Sequence, residues 1–294
     1  MTPGLTRLRV AGALAGALLL PAASSAEPAH PLAQWTAVVI AGDWRAGPDR
    51  TTQAFDNGRR DIAAALTEAG FARANVLQYS LRPPRPGDDP KIVSSDSRVA
   101  VRGFVAKAAE ATAGCLFYVT SHGEPKGATF GPSMILTPKL LGQLMADACP
   151  ARPSVVIVSA CFSGVFVPAL KAPDRMVMTA ARRDRASFGC GADSVRTYFD
   201  DCVLKAMQAV TGFLALPPAV KACVAEREKA EGMSPPSEPQ SYLGPTFAAM
   251  APLLDFRRGG VSAAGSSPRS APARPAAAPP AGAPPARHRG THSP

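Results

Sequence analysis

The sequence predicts an α/β fold with a mostly parallel central sheet covered by helices on both faces. Short apolar runs alternate with longer stretches at helical spacing through residues 27–256. The runs end in Gly, Ser or His, where a chain leaving a sheet turns. No internal repeat is present, and the alternation excludes an all-α or all-β domain.

The elements come in order along the chain. Trp35 to Ala41 (WTAVVIA) predicts a buried strand ending at Gly42. Thr52 to Ala69 carries Phe55, Ile62, Ala65 and Leu66 at helical spacing, with Gly70 as a stop. Asn75 to Tyr79 predicts a second strand, followed by a loop rich in Pro, Asp and Gly from Arg82 to Asp96. Val99 to Ala113 is an Ala-rich helix, and Cys115 to Ser121 (CLFYVTS) a third strand. Thr137-Pro138 opens a helix to about Ala148, with Pro at the first helical position. Ser154 to Ala160 (SVVIVSA) and Arg175 to Ala180 predict the fourth and fifth strands. Helical stretches near Ser194 to Val210 and Pro218 to Lys229 complete the body.

The two ends have other compositions. Residues 1–26 have the pattern of a secretory signal peptide: Arg7 and Arg9, an apolar run from Val10 to Leu20, then Pro21 and the small residues Ser24, Ser25 and Ala26. That run is shorter than the roughly 17–25 residues that span a bilayer, so stable membrane insertion is not expected. No Cys follows it to anchor a lipid. From 257 to 294 the chain is Pro, Ala, Gly, Ser and Arg, too poor in large apolar residues to offset the entropy of ordering. A disordered tail is expected, able to contact anionic lipid, polysaccharide or cell-wall polymers.

The formal charge of +10 belongs mostly to these ends. Neither contains Asp or Glu, and removing their two and six arginines leaves +2 for residues 27–256. The high pI therefore implies no nucleic-acid groove.

Two strand ends carry candidate chemistry. The third strand runs into Ser121-His122-Gly123, the fourth into Ser159-Ala160-Cys161-Phe162-Ser163-Gly164. In open α/β sheets ligands sit beyond the carboxyl ends of the strands, so neighbouring strands would place His122 and Cys161 on one rim. Of four histidines, His30 follows the leader and His288 and His292 lie in the tail, leaving His122 as the partner for a body cysteine. A thiol attacks as thiolate, so an imidazole must accept its proton and later protonate the leaving amine. Backbone N–H groups at Gly123 and Cys161 are the natural donors to the oxyanion. The Ser121, Ser159 and Ser163 hydroxyls are near, but no nucleophile elbow is present for serine chemistry.

Five other cysteines compete with this reading. Cys115 and Cys149 flank apolar segments and are expected in the core; Cys190, Cys202 and Cys223 come later, with Cys202–Cys223 the favoured disulfide. Six is an even count, and full pairing would leave no nucleophile. No CxxC spacing indicates metal, and no cofactor is implied.

These motifs resemble the legumain family of cysteine peptidases, relatives of caspases and gingipains. The family pattern is a strand ending in His-Gly and a later strand ending in Ala-Cys-x-Ser-Gly. The segments Thr179-Ala180-Ala181 and Ala186 to Cys190 resemble the family's segment after the nucleophile strand, and the similarity extends over Trp35 to Asp201. It implies a caspase-like three-layer sandwich and an exported, periplasmic or extracellular endopeptidase acting on peptide or protein substrates through a Cys161 thioester. By the resemblance, Arg50, Asp201 and Ser187 line the substrate pocket, with Ser159 beside them.

The departures are specific. Ser159 stands where legumains have an acid, Ser121 where they have Asp, and Pro48 where an Asn orients the histidine. A backbone carbonyl could hold His122 instead, leaving a dyad. A transpeptidase of the same chemistry, or a non-catalytic scaffold recruiting partners through its tail, fits the same motifs. A nucleotide-binding domain lacks any GxGxxG or Walker pattern.

Overall fold

The computed structural model describes residues 30–256; the expected leader at 1–26 and tail from 257 lie outside the described residues. The chain divides after Arg258, and every described residue belongs to the first unit.

In chain order the elements are β1 (Thr36–Ala41), α1 (Ala54–Glu68), β2 (Val76–Ser80), α2 (Ser97–Glu110), β3 (Cys115–Thr120), β4 (Gly123–Glu124), β5 (Gly127–Thr129) and β6 (Ile135–Leu136). There follow α3 (Pro138–Ala148), β7 (Ser154–Ser159), α4 (Val167–Leu170), β8 (Arg175–Thr179), α5 (Tyr198–Ala209), α6 (Leu216–Ala230), β9 (Gln240–Leu243) and α7 (Pro245–Met250). The main sheet has the order β2-β1-β3-β7-β8-β9. Its first five strands are parallel, as predicted, while β9 adds an antiparallel edge against β8.

The period of two in each strand sorts the core into two layers. Val39, Tyr118 and Ile157 pack with Ile62 of α1, Val203 of α5 and Val220 of α6. Val38, Phe117 and Val156 pack on the other face with Phe104 of α2 and Leu141 of α3. Strands buried on both faces must be apolar throughout, and all six residues of β1, β3 and β7 are buried. Each such aliphatic or aromatic side chain contributes about 1.5–3 kcal/mol.

Local chemistry sets several boundaries. Asp96 caps α2, Thr137 caps α3 with Pro138 behind it, and Thr197 caps α5, each side chain accepting a backbone N–H of the first turn. The cap at Thr197 starts α5 at Tyr198, later than the expected Ser194. Two disulfides are formed. Cys202–Cys223 joins α5 to α6, as favoured; Cys115 and Cys149 lie in the core, as expected, and are also joined, linking the start of β3 to the end of α3. Cys115 and Cys149 are both buried, where the strand start and the helix end converge.

Among the described residues no helix is long and apolar enough to cross a membrane, and no cluster of three or more His, Cys, Asp or Glu could hold a metal ion.

Candidate active site

Pairing of β3 with β7 brings His122 and Cys161 to one rim. The strands are parallel and in register, with Thr120 opposite Ser159 as the last rung. The Ser121 N–H extends that pairing to the Ser159 carbonyl at 3.0 Å. His122 and Cys161 each stand two residues beyond the rung, on chains spaced about 4.8 Å apart. A Cβ on Gly123 would overlap the Cys161 carbonyl oxygen, so only glycine lets the two chains approach this closely.

Cys161 carries a free thiol. Its Sγ receives the Ser187 N–H at 3.2 Å and lies 3.4 Å from the Ser187 carbonyl and 3.6 Å from its hydroxyl. The next residue, Phe162, has φ 58°, in the left-handed region that a bulky side chain rarely adopts. That turn reverses the chain and sends the Phe162 N–H to the Arg185 carbonyl at 2.8 Å. Cys161 is thereby fixed on a sharp corner, with the loop after β8 folded against it.

His122 is held on two sides. Its ring meets Phe55 edge-on at 5.0 Å between centroids, and its Nε2 lies 2.7 Å from the Arg45 carbonyl oxygen. A carbonyl can only accept, so Nε2 is the donor, and in the neutral imidazole the lone pair is then on Nδ1. The backbone carbonyl anticipated from the unsuitable Pro48 is thus supplied by Arg45.

Asp43 organises that contact. Its side chain, 3% exposed, accepts the Trp44 and Arg45 backbone N–H groups at 2.8 and 3.1 Å and pairs with the Arg45 guanidinium at 2.8 and 3.2 Å. The chain then turns back as a hairpin, Thr52 N–H reaching the Trp44 carbonyl at 2.9 Å and Ala46 N–H the Arg50 carbonyl at 2.7 Å.

The remaining predicted residues divide. Arg50 stands on this hairpin, 3.6 Å from Asp193, with both side chains largely exposed. The Thr52 hydroxyl ties the hairpin to the Gly191 carbonyl, in the same loop as Ser187, which touches the Cys161 sulfur. Two others stand elsewhere. Ser159 is 1% exposed and its hydroxyl is 3.2 Å from that of Thr197. A buried hydroxyl must be satisfied internally, which turns it from the rim. Asp201 binds Arg196 and Arg227 at 2.7 and 2.8 Å between α5 and α6, its oxygens occupied by these cations.

Three features escaped sequence reasoning. Asp43 comes directly after β1 and Gly42, where the strand-end rule could have found it. Cys190, also a free thiol, lies near Cys161: burial pushes its thiol up, and the neighbouring Cys161 adds to the effect. Asp200 is fully buried beneath the rim and receives the Tyr118 and Thr120 hydroxyls at 2.6 Å each. Burial raises its carboxyl above the usual aspartate range, against the opposing pull of these donors.

Comparison with known proteins adds two findings. Residues 99–214, which contain both His122 and Cys161, match the model of the Peptidase C13 family. The fold is similar to the crystal structure of caspase-1 from Spodoptera frugiperda, with 14% identity and a TM-score of 0.51 over 72% of this chain and 88% of that one. No curated protein matches the chain.

Proposed function

We propose that this chain, whose residues 99–214 match the Peptidase C13 family and whose fold is caspase-like, is an exported cysteine endopeptidase with Cys161 as nucleophile and His122 as general base. The family and fold support a cysteine peptidase acting on peptide or protein substrates. The finer reading is carried by one observation: the Arg45 carbonyl holds Nε2–H of His122 and so leaves Nδ1 basic, on the rim it shares with a free thiol.

The chemistry derives from these positions. Nδ1 takes the Cys161 proton as the sulfur attacks the scissile carbonyl carbon. The Ser187 N–H, 3.2 Å from the sulfur, helps fix its position before attack. The oxyanion then needs donors. Thr129 N–H donates to the His122 carbonyl, which makes that rung of the β4–β5 pair the hydrogen-bonded one. On the next rung, Gly123 opposite Ala128, the Gly123 N–H points away from β5, available to the oxyanion with that of Cys161. The imidazolium, its charge eased by the Arg45 carbonyl, protonates the leaving amine. Water, activated by the same Nδ1, hydrolyses the thioester; an amine in its place would give transpeptidation.

Arg50 and Ser187 are the proposed substrate contacts. The two disulfides are consistent with an oxidising compartment. Peptide-library turnover by Cys161→Ala and His122→Ala variants tests the proposal. Loss of more than about 1,000-fold in each, with native circular dichroism, is expected; undiminished turnover by Cys161→Ala would refute it and leave a scaffold.

A further inference from the structure

We infer, given the proposed roles of Cys161 and His122, that Asp43 is a positioning residue for the reaction. It clamps Arg45 so that the Arg45 carbonyl keeps His122 in the one tautomer able to take the Cys161 proton.

The carboxylate makes four hydrogen bonds, all to the next two residues of the chain. Two are to backbone N–H groups, of Trp44 and Arg45, and two to guanidinium nitrogens of Arg45. These bonds form a closed loop from Asp43 to Arg45, which fixes the peptide carrying the Arg45 carbonyl. The guanidinium also lies over the Trp44 ring at 4.8 Å, which stiffens the same turn. On its far side the turn is held by the hairpin pairing of Arg45 with Thr51. The one product of this bracing that faces the site is the carbonyl oxygen 2.7 Å from His122 Nε2.

A buried carboxylate is costly unless paired and fully hydrogen-bonded. Asp43 is 3% exposed and meets both conditions, yet it lies on a loop at the rim, where a neutral turn residue would close the same turn without that cost. Holding a histidine by a carbonyl demands more of the backbone than holding it by a side chain. A peptide that rotates by a few tens of degrees loses the acceptor, and the proton moves to Nδ1, where it blocks the base. Asp43 removes that freedom without touching the imidazole.

The test uses Asp43→Ala and Asp43→Asn in the full chain, with kinetics and ¹⁵N NMR of the His122 ring. In Asp43→Ala, kcat falls at least tenfold with KM within twofold, and the ring signals move from Nε2–H toward a mixture of tautomers. Asp43→Asn, whose Oδ1 still accepts both backbone N–H groups, recovers most of kcat and the Nε2–H signal. A folded Asp43→Ala protein with wild-type kcat, or with His122 still wholly Nε2–H, overturns the inference. If Asp43→Ala does not fold, Asp43→Asn decides: a 100-fold loss with the tautomer intact would overturn it, since charge and not clamping would then matter. Recording the ring signals in the Cys161→Ala background, with and without Asp43→Ala, reports on the clamp even if Cys161 proves dispensable for turnover.

Discussion

Replacing Asp200 probes how the rim is held from beneath. This carboxylate is wholly buried, and two short hydrogen bonds reach it from Tyr118 and Thr120, the latter two residues ahead of His122. A hydrogen bond to a charged group contributes about 1.5–3 kcal/mol, so the two amount to about 3–6 kcal/mol. Alanine also removes the desolvation cost of the carboxylate, which offsets part of that sum. The net loss expected for Asp200→Ala is about 2–4 kcal/mol, with the orphaned hydroxyls of Tyr118 and Thr120 as its main source. Urea unfolding followed by circular dichroism measures it. The pH dependence gives an independent check. Burial raises the folded-state carboxyl above its unfolded value, so the folded protein keeps this proton to higher pH. Its contribution is complete below about pH 4, where an unfolded aspartate titrates, and is lost as pH rises through the folded value. The stability of the wild type relative to Asp200→Asn, which has no such proton, must therefore decline from about pH 4 upward. An alanine variant within about 0.5 kcal/mol of wild type, or a wild type that gains stability relative to Asp200→Asn as pH rises, would refute the reasoning.

Further outcomes are expected at the rim and in the frame. Gly123→Ala, whose new methyl overlaps the Cys161 carbonyl, should reduce turnover at least 100-fold while the protein stays folded; wild-type turnover would show that the two chains can separate at no cost. Burial and the adjacent Cys161 hold the Cys190 thiol above the usual cysteine range, so iodoacetamide at pH 7.5 should modify Cys161 first. Peptide mapping that finds equal labelling would contradict this. Cys202→Ala/Cys223→Ala, opening a loop of 21 residues' separation, should lower stability by about 3 kcal/mol in chemical denaturation; an unchanged midpoint would refute it.

Much of the frame was legible because burial on both faces leaves an unambiguous mark. The runs VVI, LFYV and VVIV have no polar interruption, and each became a central strand. The edges were less legible. Gln240 to Leu243 alternates half-buried and exposed residues over four positions, too few to separate from a loop, and its place is set by pairing with β8. The hairpin strands after His122 have two or three residues each and carry no periodicity.

At the site the same division holds. His122 and Cys161 were visible because chain order and strand ends place them. That a backbone carbonyl could hold His122 was legible; which residue supplies it was not, because a carbonyl has no side-chain signature and any residue at position 45 carries one. Asp201 was singled out by the family resemblance as a pocket acid, whereas the neighbouring Asp200 turns inward and Asp201 outward, a difference of one helical step of about 100° that local sequence leaves open.

The placement of the sulfurs has a consequence for biogenesis. Six thiols permit fifteen complete pairings, yet two of them, Cys161 and Cys190, remain free. Cys115 opens β3 opposite Ser154, and Cys161 comes seven residues later along the adjacent strand, roughly 20 Å away once the sheet has formed. Sheet assembly ahead of thiol oxidation therefore shields Cys161 from capture by Cys115 through distance alone, whereas oxidation of the unfolded chain has no such guard.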